Sequence, residues 1–230
     1  MNDRYTSLRN SSLRARSATT VIDSSAQRVL RNTYLLLSLT LAFSAITAGA
    51  SAALQLPYPG MLLTMIGYFG LLYLVNKNRN NGLGIAFVFA LTGFMGYTLG
   101  PIIGFYLHLP HGGQIVMTAL GGTAAIFFGM SGYALVTKRN LASMGSFLTV
   151  GILVAFLAGL AAVLFHIPAL SLAVSAVFVL LMSGMIMFET NNIVRGGETN
   201  YVMATLTLFV AIFNLFTSLL QLLGFASSND

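Results

Sequence analysis

Seven long apolar runs, separated by short polar segments, account for most of this 230-residue chain. A transmembrane helix needs about 20 apolar residues to cross ~30 Å of hydrocarbon. Six of the seven runs reach that length, and the second run is shorter. The pattern predicts an all-α, polytopic integral membrane protein with seven transmembrane helices, over residues 34–54, 61–75, 83–107, 114–137, 141–165, 169–188 and 201–225.

The segments outside these runs are two tails. Residues 1–33 are rich in Arg and Ser and poor in acids, which predicts a disordered basic tail; residues 226–230 form a second, short tail. The first run is too long, and starts too far along the chain, for a cleaved signal peptide. It is therefore predicted to be a retained anchor. The composition of the first tail also describes a mitochondrial transit peptide, so a mitochondrial inner membrane stays as the alternative location.

The eleven Lys and Arg residues all fall in alternate connections of this arrangement. They lie in the first tail and in the second, fourth and sixth connections, and the other connections contain none. Loops that carry Lys and Arg stay in the cytoplasm during insertion. The pattern predicts a cytoplasmic N-terminus and an external C-terminus. The net charge of +6 follows from this bias, so it does not indicate nucleic-acid binding.

Several kinds of chemistry are disfavoured by what the runs lack. None contains an ionisable residue in its interior, which argues against an ion-coupled transporter. The chain has no Cys, and no metal or cofactor site is predicted. Ser131 lies in a Gly-Met-Ser-Gly segment similar to the serine motif of intramembrane proteases. All three His residues fall at the opposite ends of the helices, so Ser131 lacks a base within reach. The chain is predicted not to be an enzyme.

Small and polar residues in the runs follow helical spacing. Small residues lie four apart in pairs typical of close helix contacts: Ala45 with Gly49, Gly96 with Gly100 and Ala155 with Gly159. Pro101 predicts a kink in the third helix. The last run carries a stripe formed by Thr207, Ala211, Asn214, Ser218 and Gln221. Because polar groups are costly against lipid, the stripe predicts a buried last helix. It would serve as hydrogen-bonding contact between helices or as the wall of a narrow polar pathway.

The connection between the last two runs is the most polar of the short connections. It contains two acids, Glu189 and Glu198, together with Arg195. Gly196 and Gly197 permit a tight turn. Thr199 or Asn200 is predicted to cap the start of the last helix.

This connection and the last run carry a resemblance to a known family. The residues concerned are Phe188-Glu189-Thr190-Asn191-Asn192-Ile193, Tyr201-Val202, and the thirteen residues from Ala204 to Phe216. They resemble the signature of the Bax inhibitor-1 family of membrane proteins. The chain is most similar to its bacterial YccA-type subgroup, on Leu30-Arg31-Asn32-Thr33-Tyr34, Gly100-Pro101 and the segment from Gly196 to Tyr201. The resemblance implies a seven-helix bundle with a central last helix, in a bacterial inner membrane.

Two activities follow from the resemblance. Some members look like pH-sensitive calcium leak channels with paired carboxylates in helices six and seven; Glu189 occupies the first position, and Ala211 stands where those members have Asp. Members of the YccA-type subgroup resemble modulators of the membrane-bound AAA protease FtsH, engaged through an N-terminal tail. The chain is therefore predicted to be a non-enzymatic, lipid-embedded modulator of an FtsH-type protease, and a calcium leak is the alternative. The candidate functional residues are Glu189, Asn214, Glu198, Arg195, Thr207 and Gln221.

Overall fold

In the described part of the chain, all regular secondary structure is helical. A computed structural model describes residues 25–227 in full and residues 2–24 by their backbone alone. Over this part the chain forms seven α-helices: α1 (Asn2–Ala53), α2 (Met61–Asn78), α3 (Gly82–Leu107), α4 (Gly112–Val136), α5 (Met144–Leu164), α6 (Pro168–Val194) and α7 (Tyr201–Ser227). The predicted all-α class and the number of helices are confirmed.

Six of these helices are long and apolar enough to cross a membrane: Ser25–Ala53 of α1, and α3 to α7. The remaining helix, α2, ends in Asn76, Lys77 and Asn78, which lower its apolar character. It packs against α3. Its start at Met61 agrees with the predicted second run, and its end lies three residues beyond it.

Two predicted boundaries differ most from the structure. Helix α6 continues to Val194, whereas the sixth run was predicted to end at residue 188. Two polar residues after 188, Thr190 and Asn191, stay helical and bond groups outside α6 through their side chains. Residues 25–33, predicted as part of the disordered tail, belong to α1. The rest of that tail, and residues 228–230 of the second tail, lie outside the fully described residues.

Helix α7 is the centre of the bundle, as predicted. It packs against α1, α3, α4 and α6. Phe209, Leu208, Leu215 and Leu220 are among its fully buried side chains. Burial keeps polar side chains of α7 such as Thr205 and Ser218 away from lipid, where polar groups without partners are costly.

Close packing of α1 against α3 depends on two of the predicted small residues. A Cβ atom on Gly96 would collide with Thr47 and with the Ser44 carbonyl of α1, and one on Gly100 would collide with Ser51. The backbones therefore approach closely only because both positions are glycine. Gly49, in contrast, has no heavy atom within 4 Å of an added Cβ atom, so it does not mediate a helix contact.

The proline of α3 is accommodated by its neighbour α1. Pro101 has no N–H group and cannot bond the carbonyl of Tyr97, four residues earlier. The Ser51 hydroxyl of α1 donates to that Tyr97 carbonyl at 3.0 Å. The chain stays helical through Pro101. This bond holds α3 to α1 at the position of the predicted kink.

Candidate functional site

The three basic connections meet at one end of the bundle, here called the basic end. The Arg195 guanidinium donates to the Lys138 carbonyl, which ties the α6–α7 connection to the α4–α5 connection. The Asn200 amide donates to the Arg79 carbonyl at 3.0 Å and to Asn80 Oδ1 at 2.9 Å. The α6–α7 connection therefore bridges the other two.

Asn200 also caps the start of α7. Its Oδ1 atom accepts from the Val202 and Met203 backbone N–H groups at 3.0 and 3.1 Å. This is the predicted N-cap, which satisfies two N–H groups that have no partner within the helix. Glu198 Oε1 in turn accepts from the Asn200 N–H group at 2.6 Å.

Buried and half-buried polar residues gather just inside the basic end. We call this group the end cluster; its members are Thr33, Tyr34, Ser131, Glu189, Thr190, Asn191 and Thr205. Thr190 Oγ1 is the junction of three helices: it lies 3.3 Å from the Tyr34 hydroxyl of α1 and 3.4 Å from the Ser131 hydroxyl of α4. Ser131 is therefore a contact residue between helices.

Asn191 ties α6 to the end of α4 and to the connection that follows it. Its Oδ1 atom accepts from the Leu141 N–H group at 3.2 Å. Its Nδ2 atom lies 3.5 Å from the Ala134 carbonyl and 3.4 Å from the Arg139 carbonyl. The side chain is only 2% exposed, so these backbone groups replace water as its partners.

Glu189 is one of two exceptions in the end cluster. It is 5% exposed, and its Oε1 atom has no hydrogen-bond partner among the described residues. Glu198 is close enough to repel its charge. Thr33 Oγ1 is likewise buried without a partner in the described part of the chain. Buried polar atoms without partners are rare in folded proteins and are candidates for a functional role.

The predicted stripe on α7 divides into two parts. Towards the end opposite the basic end, Gln221 bonds the α6 hydroxyls of Ser175 at 2.7 Å and Ser171 at 2.6 Å, so it holds helices together. Thr207, Ala211 and Asn214 instead line a cleft between α2 and α5. We call it the α2–α5 cleft, and its walls also include Tyr68, Leu72, Phe156, Met182 and Met185.

The structure brings together only half of the candidate residues. Glu189, Glu198 and Arg195 lie at the basic end, whereas Thr207 and Asn214 lie deeper and Gln221 lies at the other end. Within residues 25–227, no group of three His, Cys, Asp or Glu residues could hold a metal ion.

A family model described as inhibitor of apoptosis-promoting Bax1 matches residues 26–229. The match covers α1 from residue 26 onward, helices α2 to α7 and the end cluster. The chain belongs to this family.

Bacterial relatives within the family are similar over nearly their whole length. The "Modulator of FtsH protease YccA" of Escherichia coli K12 is 54% identical over 203 residues, which are 88% of this chain and 92% of the relative. An uncharacterized protein of Pseudomonas aeruginosa is 50% identical over 202 residues, 88% of this chain and 91% of the relative. An uncharacterized membrane protein of Vibrio cholerae is 40% identical over 204 residues, 88% of this chain and 92% of the relative.

These names describe an inhibitor and a modulator, not an enzyme. The paired carboxylates that the family resemblance implied are not both present in this member. Glu189 supplies one, but position 211 is an alanine that is 1% exposed in the wall of the α2–α5 cleft.

Thr190, Asn191 and Asn200 are the principal polar contacts that sequence reasoning did not single out as functional. Glu189, Thr190 and Asn191 were interpreted as a loop because they are polar. One signal argued otherwise: no Gly or Pro interrupts the chain between residue 185 and Gly196, so nothing forces α6 to end at 188.

Proposed function

We propose that the chain is a non-enzymatic inner-membrane protein that binds and modulates an FtsH-type AAA protease. The observation that carries the proposal is the 54% identity, over 92% of its length, to a protein named modulator of that protease. A second relative with the same identity is named an inner membrane protein. Closely packed helices that expose apolar side chains along their outer faces support association within the membrane.

The proposed orientation places the basic end in the cytoplasm. The eleven-to-zero distribution of Lys and Arg supports it, and so does the meeting of the three basic connections at one end. Reporter fusions after residue 225 should be active outside the cytoplasm, and fusions near Arg79, Arg139 and Arg195 should be active inside. A cytoplasmic C-terminus would contradict an odd number of spans and would point to α2 as a segment that does not cross.

The protease is proposed to engage the chain through its N-terminal tail. A pulling protease needs a free end of sufficient length, and residues 1–24 come before Ser25, where the fully described part of α1 begins. We expect the full-length protein to co-purify with the protease in mild detergent. Deleting residues 1–24 should leave co-purification intact and slow degradation of the chain. Pulse-chase turnover and affinity purification measure the two effects.

A replacement tail tests whether the protease requires the sequence of the tail or only its length. A Gly/Ser-rich segment of the same length behaves as a flexible coil and should restore turnover if only a free end is required. Absence of the protease from the purified sample would overturn the proposed partner. Unchanged turnover after deletion would contradict only the proposed engagement through the tail.

A calcium leak is the second candidate, and one observation favours it: the buried, unpartnered Oε1 atom of Glu189. Ala211 weakens it, because a single carboxylate cannot form the paired site. A robust, pH-dependent calcium flux through the full-length protein in liposomes, abolished by Glu189→Gln, would make the leak the primary function.

A further inference from the structure

We propose that the α2–α5 cleft is a binding site for one acyl chain of an anionic phospholipid, whose headgroup lies at Lys77 and Arg79. The cleft opens sideways towards the membrane because α2 packs chiefly on α3, and α5 packs chiefly on α6. Across the opening, the two helices meet through the rings of Phe69 and Phe156, with centroids 6.1 Å apart. Helix α7 closes the back of the cleft.

The walls of the cleft are apolar even where the sequence is polar. The hydroxyls of Thr64, Thr98 and Thr149 each donate to a carbonyl of their own helix, at 2.8, 2.8 and 2.9 Å. Asn214 Nδ2 donates to the Val210 carbonyl at 2.8 Å. These four donors are therefore engaged by backbone carbonyls and are not offered to a ligand in the cleft. The geometry argues against a polar pathway along this face of α7 and favours an apolar ligand.

The cleft is large enough for an acyl chain but too small for a helix of two turns. Its volume is about 730 Å³. An α-helix with side chains is about 10 Å wide, so each turn occupies roughly 400 Å³. Fewer than two turns would fit, whereas a single acyl chain is much thinner. Five flexible methionine side chains, which adapt well to apolar ligands, line the cleft: Met65, Met95, Met182, Met185 and Met203.

The depth of the cleft matches one leaflet. Its wall on α7 extends from Met203 to Asn214, which is about 16 Å at 1.5 Å per residue. This is about half of the ~30 Å hydrocarbon thickness. Because Met203 lies next to the basic end and Asn214 lies near the middle of the bundle, a chain in the cleft would come from the leaflet at the basic end.

Charge at the mouth indicates the headgroup. Leu72 lines the cleft on α2, and Lys77 and Arg79 follow it, both exposed. The Arg79 carbonyl is bonded to Asn200 at the start of α7, which places this basic pair beside the α7 wall. Glu198 lies two residues before Asn200, and its Oε1 atom accepts from the Asn200 N–H group. Two cations against one carboxylate favour an anionic headgroup.

The test uses the full-length protein in vesicles that contain equal amounts of phosphatidylglycerol and phosphatidylcholine, each with a photoactivatable group on an acyl chain. After irradiation, peptide mass spectrometry should find phosphatidylglycerol on residues of the α2–α5 cleft. Thr207→Phe, which fills the cleft, should abolish that adduct. Ala45→Phe, in the separate cleft lined by α1 and α4, is the matched control and should leave it unchanged.

A second pair of variants tests the headgroup without altering the cleft. Lys77→Gln and Arg79→Gln change exposed side chains, and each should reduce the preference for phosphatidylglycerol about five-fold. Lys138→Gln and Arg139→Gln, in another basic connection, should not change it. Equal labelling of the cleft by both lipids would overturn the anionic headgroup. An adduct that survives Thr207→Phe in a folded sample, or labelling confined to the outer helix faces, would overturn the site.

Discussion

We expect Asn191→Leu to lower the free energy of unfolding of the bundle by about 2–4 kcal/mol. The substitution removes the bond to the Leu141 N–H group and the contacts to the Ala134 and Arg139 carbonyls. Because Leu is similar in size, the loss comes from backbone groups left without partners rather than from a cavity. Unfolding by denaturing detergent, starting from mild detergent micelles, measures the change.

Asn76→Leu is the matched control for this prediction. Asn76 is exposed, and its Oδ1 atom makes only a long, 3.5 Å contact with Arg79. Substitutions at such positions usually change stability by less than about 0.5 kcal/mol. If both variants had the same stability as the unmodified protein, the contacts of Asn191 would not hold α6 to α4.

The sequence predicts the helices of this protein well because one physical requirement dominates. A chain in lipid must satisfy its backbone polar groups internally, so long apolar runs become helices. Boundaries are accurate where an apolar run meets Gly or Pro, as at Gly112 and Pro168. They fail at the end of α6, where Thr190 and Asn191 continue the helix through bonds to residues 50 or more positions away.

The candidate site was only partly predictable, because polar groups in lipid need partners but the sequence does not show which partners they find. The periodicity of the stripe placed Gln221 correctly against other helices, because an amide in lipid needs partners. It could not show that Asn214 would bond its own helix and leave the cleft apolar. Likewise, the spacing of small residues predicted close helix contacts at both Gly96 and Gly49. Gly96 packs against α1, whereas an added Cβ atom on Gly49 would have no heavy atom within 4 Å.

The predicted carboxylate at the end of the sixth run proves to be buried. A surface loop would have let water solvate Glu189, whereas the longer α6 carries it inside the bundle at 5% exposure. A polar group kept in such a place at a cost to stability is usually kept for use.

Glu189→Met should therefore raise the free energy of unfolding by about 1–3 kcal/mol. The substitution removes the unpartnered Oε1 atom and the repulsion from Glu198, while a side chain of similar length fills the space. Glu189→Gln removes the charge but keeps polar atoms, so its gain should be smaller. Denaturing-detergent titration compares the three proteins.

Glu198→Met provides the control, because that carboxylate has a partner in the Asn200 N–H group at 2.6 Å. Loss of the bond should destabilise the α6–α7 connection, so the same chemical change should act with opposite sign nine residues apart.

Under the proposed function, the stabilised Glu189→Met protein should also modulate the protease less, since stabilising a functional position commonly reduces activity. A destabilised Glu189→Met protein would show instead that the carboxyl group is satisfied in the membrane and serves packing alone.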